Sequence, residues 1–330
     1  MPTHAPWAAG SIPGTVSKVL PSPAVGESGD SPPEPGDRSL LRGLIKTARP
    51  KQWSKNVLVL AAPGAAGVLT HGDPLLRSGY AVVMFCVVSS GTYFLNDALD
   101  VAADRRHPVK RLRPMAAGVF PVPLGLAVGA LLLAAGIGAS AVLSWQLSVV
   151  MATYVAVQLA YSFYLKHQPV YDLAAVAAGF VLRAITGGVA AQVPVSEWFL
   201  IVATFGSLLM VTGKRVAEQA ELGHDKAAHR ATLENYSPAF LRTVLAIAAT
   251  GAIVGYAQWA FSLQTALSHH ADPIWYQLSI VPMFVALLRY TFLVEGGHGA
   301  RPEDLVFSDR SLQVLGVVWA VLFALGVYAS

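Results

Sequence analysis

The sequence predicts an all-α polytopic membrane protein, a bundle of about nine transmembrane helices. Three observations predict it. Hydrophobic residues make up 54% of the 330-residue chain and charged residues only 13%, where soluble domains carry about a quarter charged residues. The apolar residues gather in runs close to the roughly 20 residues that cross a hydrocarbon core. The basic residues sit in the breaks between those runs. Backbone polar groups inside lipid must pair within their own segment, so the runs are expected to be helices.

The elements follow in chain order. Residues 1–40 contain Pro21, Pro23, Pro32, Pro33 and Pro35 and no apolar run, so they read as a disordered N-terminal tail. Residues 41–330 are expected to form one transmembrane catalytic domain. It opens on a basic stretch, with Arg42, Lys46, Arg49, Lys51 and Lys55, that reads as a segment lying on the membrane surface. Apolar runs then cover 56–70, 79–99, 121–143, 146–165, 172–192, 197–213, 240–264, 274–294 and 312–329. The first is short and rich in Ala and Gly, with an expected start near the interfacial residue Trp53. The sole cysteine, Cys86, lies inside the second run and reads as a buried thiol.

Charge placement sets the orientation. With the N-terminus in the cytoplasm, the inner breaks hold Arg105, Arg106, Lys110, Arg111 and Arg113, then Lys166, then Lys214, Arg215, Lys226 and Arg230, then Arg301 and Arg310. The outer loops hold one basic residue, Arg77. This asymmetry follows the positive-inside rule and places the C-terminus outside. The formal net charge of +4 is thereby accounted for by topology, and nucleic acid is excluded as a partner. The lipid bilayer is the expected surrounding, in the plasma membrane. Homo-oligomerisation is left open by the sequence.

Topology does not explain the carboxylates in the same breaks. Asp97, Asp100 and Asp104 fall at i, i+3 and i+7 where the second run ends, which is one helical face. Asn96 lies one turn before Asp100. Three carboxylates on one face repel unless a cation neutralises them. Oxygen-only ligands suit magnesium, which bridges a few carboxylates to substrate phosphates. Lys110 and Arg113 follow and are placed to hold phosphate oxygens. The same spacing recurs after the sixth run in Glu218, Glu221 and Asp225, with Lys214 one turn before Glu218. Two acidic clusters on one membrane side can face each other across a shared cavity around one pyrophosphate. The expected metal ligands are therefore Asn96, Asp97, Asp100, Asp104, Glu221 and Asp225. A solvated amphipathic helix is the plain alternative for the second cluster. Tyr161 and Lys166 end the fourth run, and Asp172 opens the fifth. Arg183 falls within the fifth run, where a charge is costly and marks either a polar cavity or a buried carboxylate partner.

At these residues the chain resembles the UbiA-type prenyltransferase superfamily, from about residue 45 to the C-terminus. The superfamily's first motif, Asn-Asp-x-x-Asp-x-x-x-Asp, stands intact as NDALDVAAD, residues 96–104. Its second motif is matched in part by Glu221 and Asp225 with Thr232 and Leu233 downstream, Glu replacing the first Asp and His224 and His229 replacing glycines. The stretches RPKQWSKNVLV (49–59), NDALDVAADRRHPVKRLRPMAAG (96–118), YSFYLKHQPVYDLAAVAAGFVLRAITGG (161–188) and GKRVAEQAEL (213–222) resemble an actinobacterial branch of it.

That resemblance implies transfer of a phosphoribosyl group from phosphoribosyl pyrophosphate to a polyprenyl phosphate, with a product used in cell-wall arabinan synthesis. It implies a cationic pocket for the ribose phosphate, assigned to Lys51, Lys55, Lys110, Arg113 and Lys166, with Arg49 in the same basic stretch. Asn96, Tyr161, Asp172, Arg183, Lys214 and Glu218 are the remaining expected substrate contacts. Two other functions are weighed. A prenyltransferase with an aromatic acceptor shares the fold and the metal site. A transporter is disfavoured, since its ionisable residues belong near mid-membrane on broken helices.

Overall fold

The computed structural model describes residues 40–221, 236–266, 274–296, 305–306 and 308–328. The expected tail over 1–40 lies outside the described residues, apart from Leu40, which opens the first helix. Asp225 and the side chain of Glu221 also lie outside them.

Helices α1 (Leu40–Ala48), α2 (Ala61–Ala65), α3 (Gly72–Leu99), α4 (Val101–Arg106), α5 (Val122–Ser140), α6 (Trp145–Phe163), α7 (Tyr171–Ala191), α8 (Glu197–Glu221), α9 (Pro238–Ala266), α10 (Ile274–Glu295) and α11 (Arg310–Tyr328) follow in order. Among the described residues, eight helices are long and apolar enough to cross a membrane: α3 and α5 to α11. Their positions match the second to ninth apolar runs. About half of the apolar window of α3 and of α7 is buried, 50% and 56%, against 11–33% for the other six. These two helices are therefore the axis of the bundle, and the others present their sides outward, where lipid takes the place of a protein core.

The first apolar run takes another form. Pro50–Leu60 is a 3-10 helix, continued by α2. At about 2.0 Å per residue, then 1.5 Å, these 16 residues reach about 30 Å, the thickness of a hydrocarbon core. In a 3-10 helix, residues three apart eclipse each other. Trp53, Asn56, Val59 and Ala62 therefore form one stripe, and it faces α3 and α7. The Trp53 indole donates to Ser90 Oγ (3.1 Å). Asn56 Nδ2 reaches Cys86 Sγ (3.1 Å) and Ser89 Oγ (3.4 Å). Val59 is fully buried, and its carbonyl lies so close to Gly187 of α7 that a Cβ at that position would strike it.

Helix α5 packs on α3 through Gly129 and Gly136. Small residues let two membrane helices approach closely where no hydrophobic force separates protein from lipid. Arg77, expected in the first outer loop, lies instead near the start of α3. Arg77 Nε donates to the Ala190 carbonyl at the end of α7 (2.7 Å). It satisfies an open helix carbonyl and meets the negative end of the helix dipole.

Candidate active site

The site grows from the end of α3. The helix stops at Leu99, Asp100 takes φ −90° and ψ 0°, and α4 resumes at Val101. This break divides the first acidic motif. Asp97 and Asp104 are both 3% exposed and share Arg113, whose Nη1 lies 3.2 Å from Asp97 Oδ1 and 2.7 Å from Asp104 Oδ2. Asp100 turns to Lys166, 2.7 Å away, on the loop between α6 and α7. Arg49 forms a second ion pair with Asp97 and lies over the Tyr93 ring, 4.8 Å from its centroid. Asn96 Oδ1 accepts from Ser162 Oγ of α6 (3.0 Å). The three carboxylates thus gather at the junction of α3 and α4, held by Arg49, Arg113 and Lys166 from three other segments.

Arg49 reaches Asp97 from an unusual backbone. It has φ 55° and ψ 59°, a left-handed conformation that costs a non-glycine residue free energy. The turn it makes separates α1 from the 3-10 helix and aims the side chain at α3.

A second polar group stands beside the first. Arg215 of α8, 4% exposed, bonds Glu218 Oε2 (2.7 Å) and reaches Asp172 Oδ2 (3.5 Å). Tyr236 donates to Asp172 Oδ1 (2.5 Å) and accepts from the Val170 amide (2.5 Å). Burial, then the bond to Asp172, raises the Tyr236 phenol above its ordinary pKa, so it remains a proton donor at neutral pH. Lys214 lies 3.9 Å from Glu218, as their one-turn spacing predicts. Tyr161 is within electrostatic reach of Arg215. The loop that carries Lys166 joins the two groups, since it holds Asp100 at one end and runs into Asp172 at the other.

Other expected residues take outlying places. Lys51 is exposed at the start of the 3-10 helix, and Lys55 is half-buried one turn on. Lys110 is half-buried on the segment before Arg113. Arg183 is 5% exposed within α7. Its partners are neutral: Asn56 Oδ1 (3.0 Å), the Gly179 carbonyl (2.7 Å) and Tyr154 OH (3.2 Å). The rings of Phe85, Tyr154 and Phe180 surround it at 4.9–5.4 Å. Dipoles and ring faces, not a carboxylate, stabilise this charge.

Three participants are not singled out by the sequence as site residues: Arg215, Tyr236 and Ser162. Arg215 is legible in principle, because it stands three residues before Glu218 on a helix. Nothing local marks Tyr236 or Ser162; only the fold brings them in.

Among the described residues, no three His, Cys, Asp or Glu side chains lie close enough together to hold a metal ion. The donor set still fits a hard divalent cation. It offers oxygen atoms from Asn96, Asp97, Asp100 and Asp104, and every carboxylate of the motif already draws a positive partner.

Apolar crossing helices with acids and bases paired at one end of the central pair define an integral membrane protein of the UbiA type. The chain belongs to the UbiA prenyltransferase family, whose model matches residues 57–312. It is 46% identical over 295 residues to the decaprenyl-phosphate phosphoribosyltransferase of Corynebacterium glutamicum, covering 88% of each chain. It is 44% identical to the protein of that name from Mycolicibacterium smegmatis, over 89% of this chain and 95% of the relative. A UbiA homologue from Archaeoglobus fulgidus, solved bound to GPP and Mg2+, has the same fold. The TM-score is 0.63 at 17% identity, over 87% of this chain and all of the other.

Proposed function

We propose that this protein transfers the phosphoribosyl group of phosphoribosyl pyrophosphate to decaprenyl phosphate, giving decaprenylphosphoryl phosphoribose and pyrophosphate. The observation that carries this reading is the 46% identity, over 88% of both chains, to a decaprenyl-phosphate phosphoribosyltransferase. The geometry supports it. An acceptor phosphate and a donor with three phosphate groups need many cations, and Arg49, Arg113, Lys166 and Arg215 stand at one end of the bundle.

Asn96, Asp97, Asp100 and Asp104 would hold magnesium, with Glu221 and Asp225 completing the shell. Magnesium there supplies charge neutralisation for pyrophosphate as it departs. The remaining work belongs to the chain. Arg113 and Lys166 exchange their carboxylates for donor phosphate oxygens. Lys51, Lys55 and Lys110 hold the ribose phosphate. The lipid enters from the side, so that its phosphate reaches the anomeric carbon while its chain stays in hydrocarbon. A phosphate oxygen forms the new bond to that carbon, and the old bond's electron pair leaves with pyrophosphate. The acceptor is already ionised and no proton moves, so no general base is required. Catalysis rests on positioning and electrostatic stabilisation. In-line attack inverts the anomeric centre. The site faces the cytoplasm of the plasma membrane, and the product serves cell-wall arabinan assembly.

An assay with labelled phosphoribosyl pyrophosphate, decaprenyl phosphate and Mg2+ tests the reading. Labelled lipid is expected from the purified protein and not from Asp100→Ala, which should still insert and purify. Product from a polyprenyl pyrophosphate and an aromatic acid, with none from the ribosyl donor, overturns it.

A further inference from the structure

Asp172 is a substrate contact by sequence, and its surroundings assign it a different task. It is 1% exposed. One carboxylate oxygen takes the Tyr236 hydroxyl and the other faces the Arg215 guanidinium. A side chain sealed from solvent, with each oxygen facing a protein donor, is placed to hold those donors. Its partners each lead to a group that the proposed reaction uses.

The first lead runs backward along the chain. Val170, between Pro169 and Tyr171, has φ 71° and ψ −49°. A β-branched residue at positive φ is a strained exception that persists only where its surroundings hold it. Here the hold is visible: the Val170 amide donates to the Tyr236 hydroxyl at 2.5 Å. This turn ends the loop that carries Lys166, and Lys166 grips Asp100 of the first acidic motif. The second lead crosses to α8. Arg215 places one nitrogen toward Asp172 and another on Glu218, the half-exposed acid of the second cluster. Tyr236 is itself fixed. Its carbonyl accepts from Gln219 Nε2 of α8 at 2.8 Å, and its ring stacks on Phe240.

We propose that Asp172 and Tyr236 are positioning residues, a clamp between α7, α8 and the entry to α9 that holds the Lys166 loop and Glu218 in register for the pyrophosphate donor. The clamp acts through the strained Val170 turn on one side and through Arg215 on the other. It rests on the proposed function only for the identity of the donor. The raised phenol pKa agrees with it, since the clamp needs Tyr236 protonated as a donor to Asp172.

Asp172→Ala is a poor probe, because it strands a buried guanidinium and invites misfolding. Tyr236→Phe keeps the ring and removes only the hydroxyl. Binding of phosphoribosyl pyrophosphate with Mg2+ to the full chain is measured by calorimetry, beside the KM for the lipid acceptor. Tyr236→Phe should weaken donor binding about tenfold and leave the lipid KM unchanged. Glycine adopts positive φ freely, so Val170→Gly no longer needs the hydroxyl to hold the turn. The double variant Val170→Gly/Tyr236→Phe should therefore regain donor affinity to within about threefold of the parent. A hydroxyl that merely supported packing would not be rescued by relieving the backbone strain at position 170. Unchanged donor binding in Tyr236→Phe overturns the clamp, as does a loss that persists in the double variant. If the parent chain ignores the ribosyl donor and binds a prenyl pyrophosphate, the proposed function falls. The clamp is then tested with that donor on the same three proteins, and the same two outcomes overturn it.

Discussion

Arg113 shows what one residue contributes to this site. Its guanidinium sits between two buried carboxylates that would otherwise repel each other. In the absence of donor it neutralises the charge that a metal would neutralise, so a metal bound there and the guanidinium would compete. Arg113→Gln should consequently bind Mg2+ more tightly than the parent when no donor is present. With donor present it should bind more weakly, by about 1.5–3 kcal/mol, the worth of one charge-assisted phosphate contact. Calorimetric titration of Mg2+ with and without phosphoribosyl pyrophosphate measures both. Equal metal affinity in the two proteins would mean that Arg113 does not stand in the metal's place. At this scale the sequence is a partial guide. The acidic motif is legible because three carboxylates on one helical face beside a membrane exit repel each other unless a cation neutralises them. The division of labour within it is not, because the break at Asp100 sends that side chain to Lys166 while its neighbours meet Arg113. Arg183 is legible as a costly charge, and its neutral partners are not, since Asn56 is 127 residues away.

Among the elements, eight are legible from run length alone, because a lipid-crossing helix has only one way to satisfy its backbone. The 3-10 helix is hidden. Its contact stripe recurs every third residue and mixes Trp53, Asn56, Val59 and Ala62, so neither helical periodicity nor hydrophobicity displays it. Its seat is set from the other side, by Gly187 and Gly188 of α7. A methyl group at Gly187 meets the Val59 backbone, which cannot step aside as a flexible side chain would. Gly187→Ala should therefore destabilise the fold by about 1–3 kcal/mol, as overpacking does. Gly206→Ala, with open space around its Cβ, is the matched control on α8. Thermal unfolding in detergent compares them. An equal melting temperature in the two variants would show that the 3-10 helix is not held against α7.

The whole molecule is polar at one end of its central helices and apolar along its flanks, and that arrangement carries the orientation argument. Acids and bases from α1's end, α3, α4, the α6–α7 loop and α8 meet on one side. On the opposite side, among the described residues, Arg77 is spent on the α7 terminus. A donor soluble in water and an acceptor soluble in lipid can meet only where both can reach, at a membrane surface. The positive-inside rule predicts that this surface is the cytoplasmic one. Single cysteines placed in a Cys86→Ala background test this. Arg106→Cys sits on the exposed end of α4 beside the acidic motif, and Val142→Cys sits in the exposed turn between α5 and α6, with a relative exposure of 79%. A membrane-impermeant maleimide applied to right-side-out vesicles should label position 142 and spare position 106; inverted vesicles should give the reverse. Labelling of position 106 from outside would invert the molecule and place the acidic motif away from the cytoplasm. The donor would then have to be sought on the far side of the membrane, and the charge asymmetry that set the topology would need another cause.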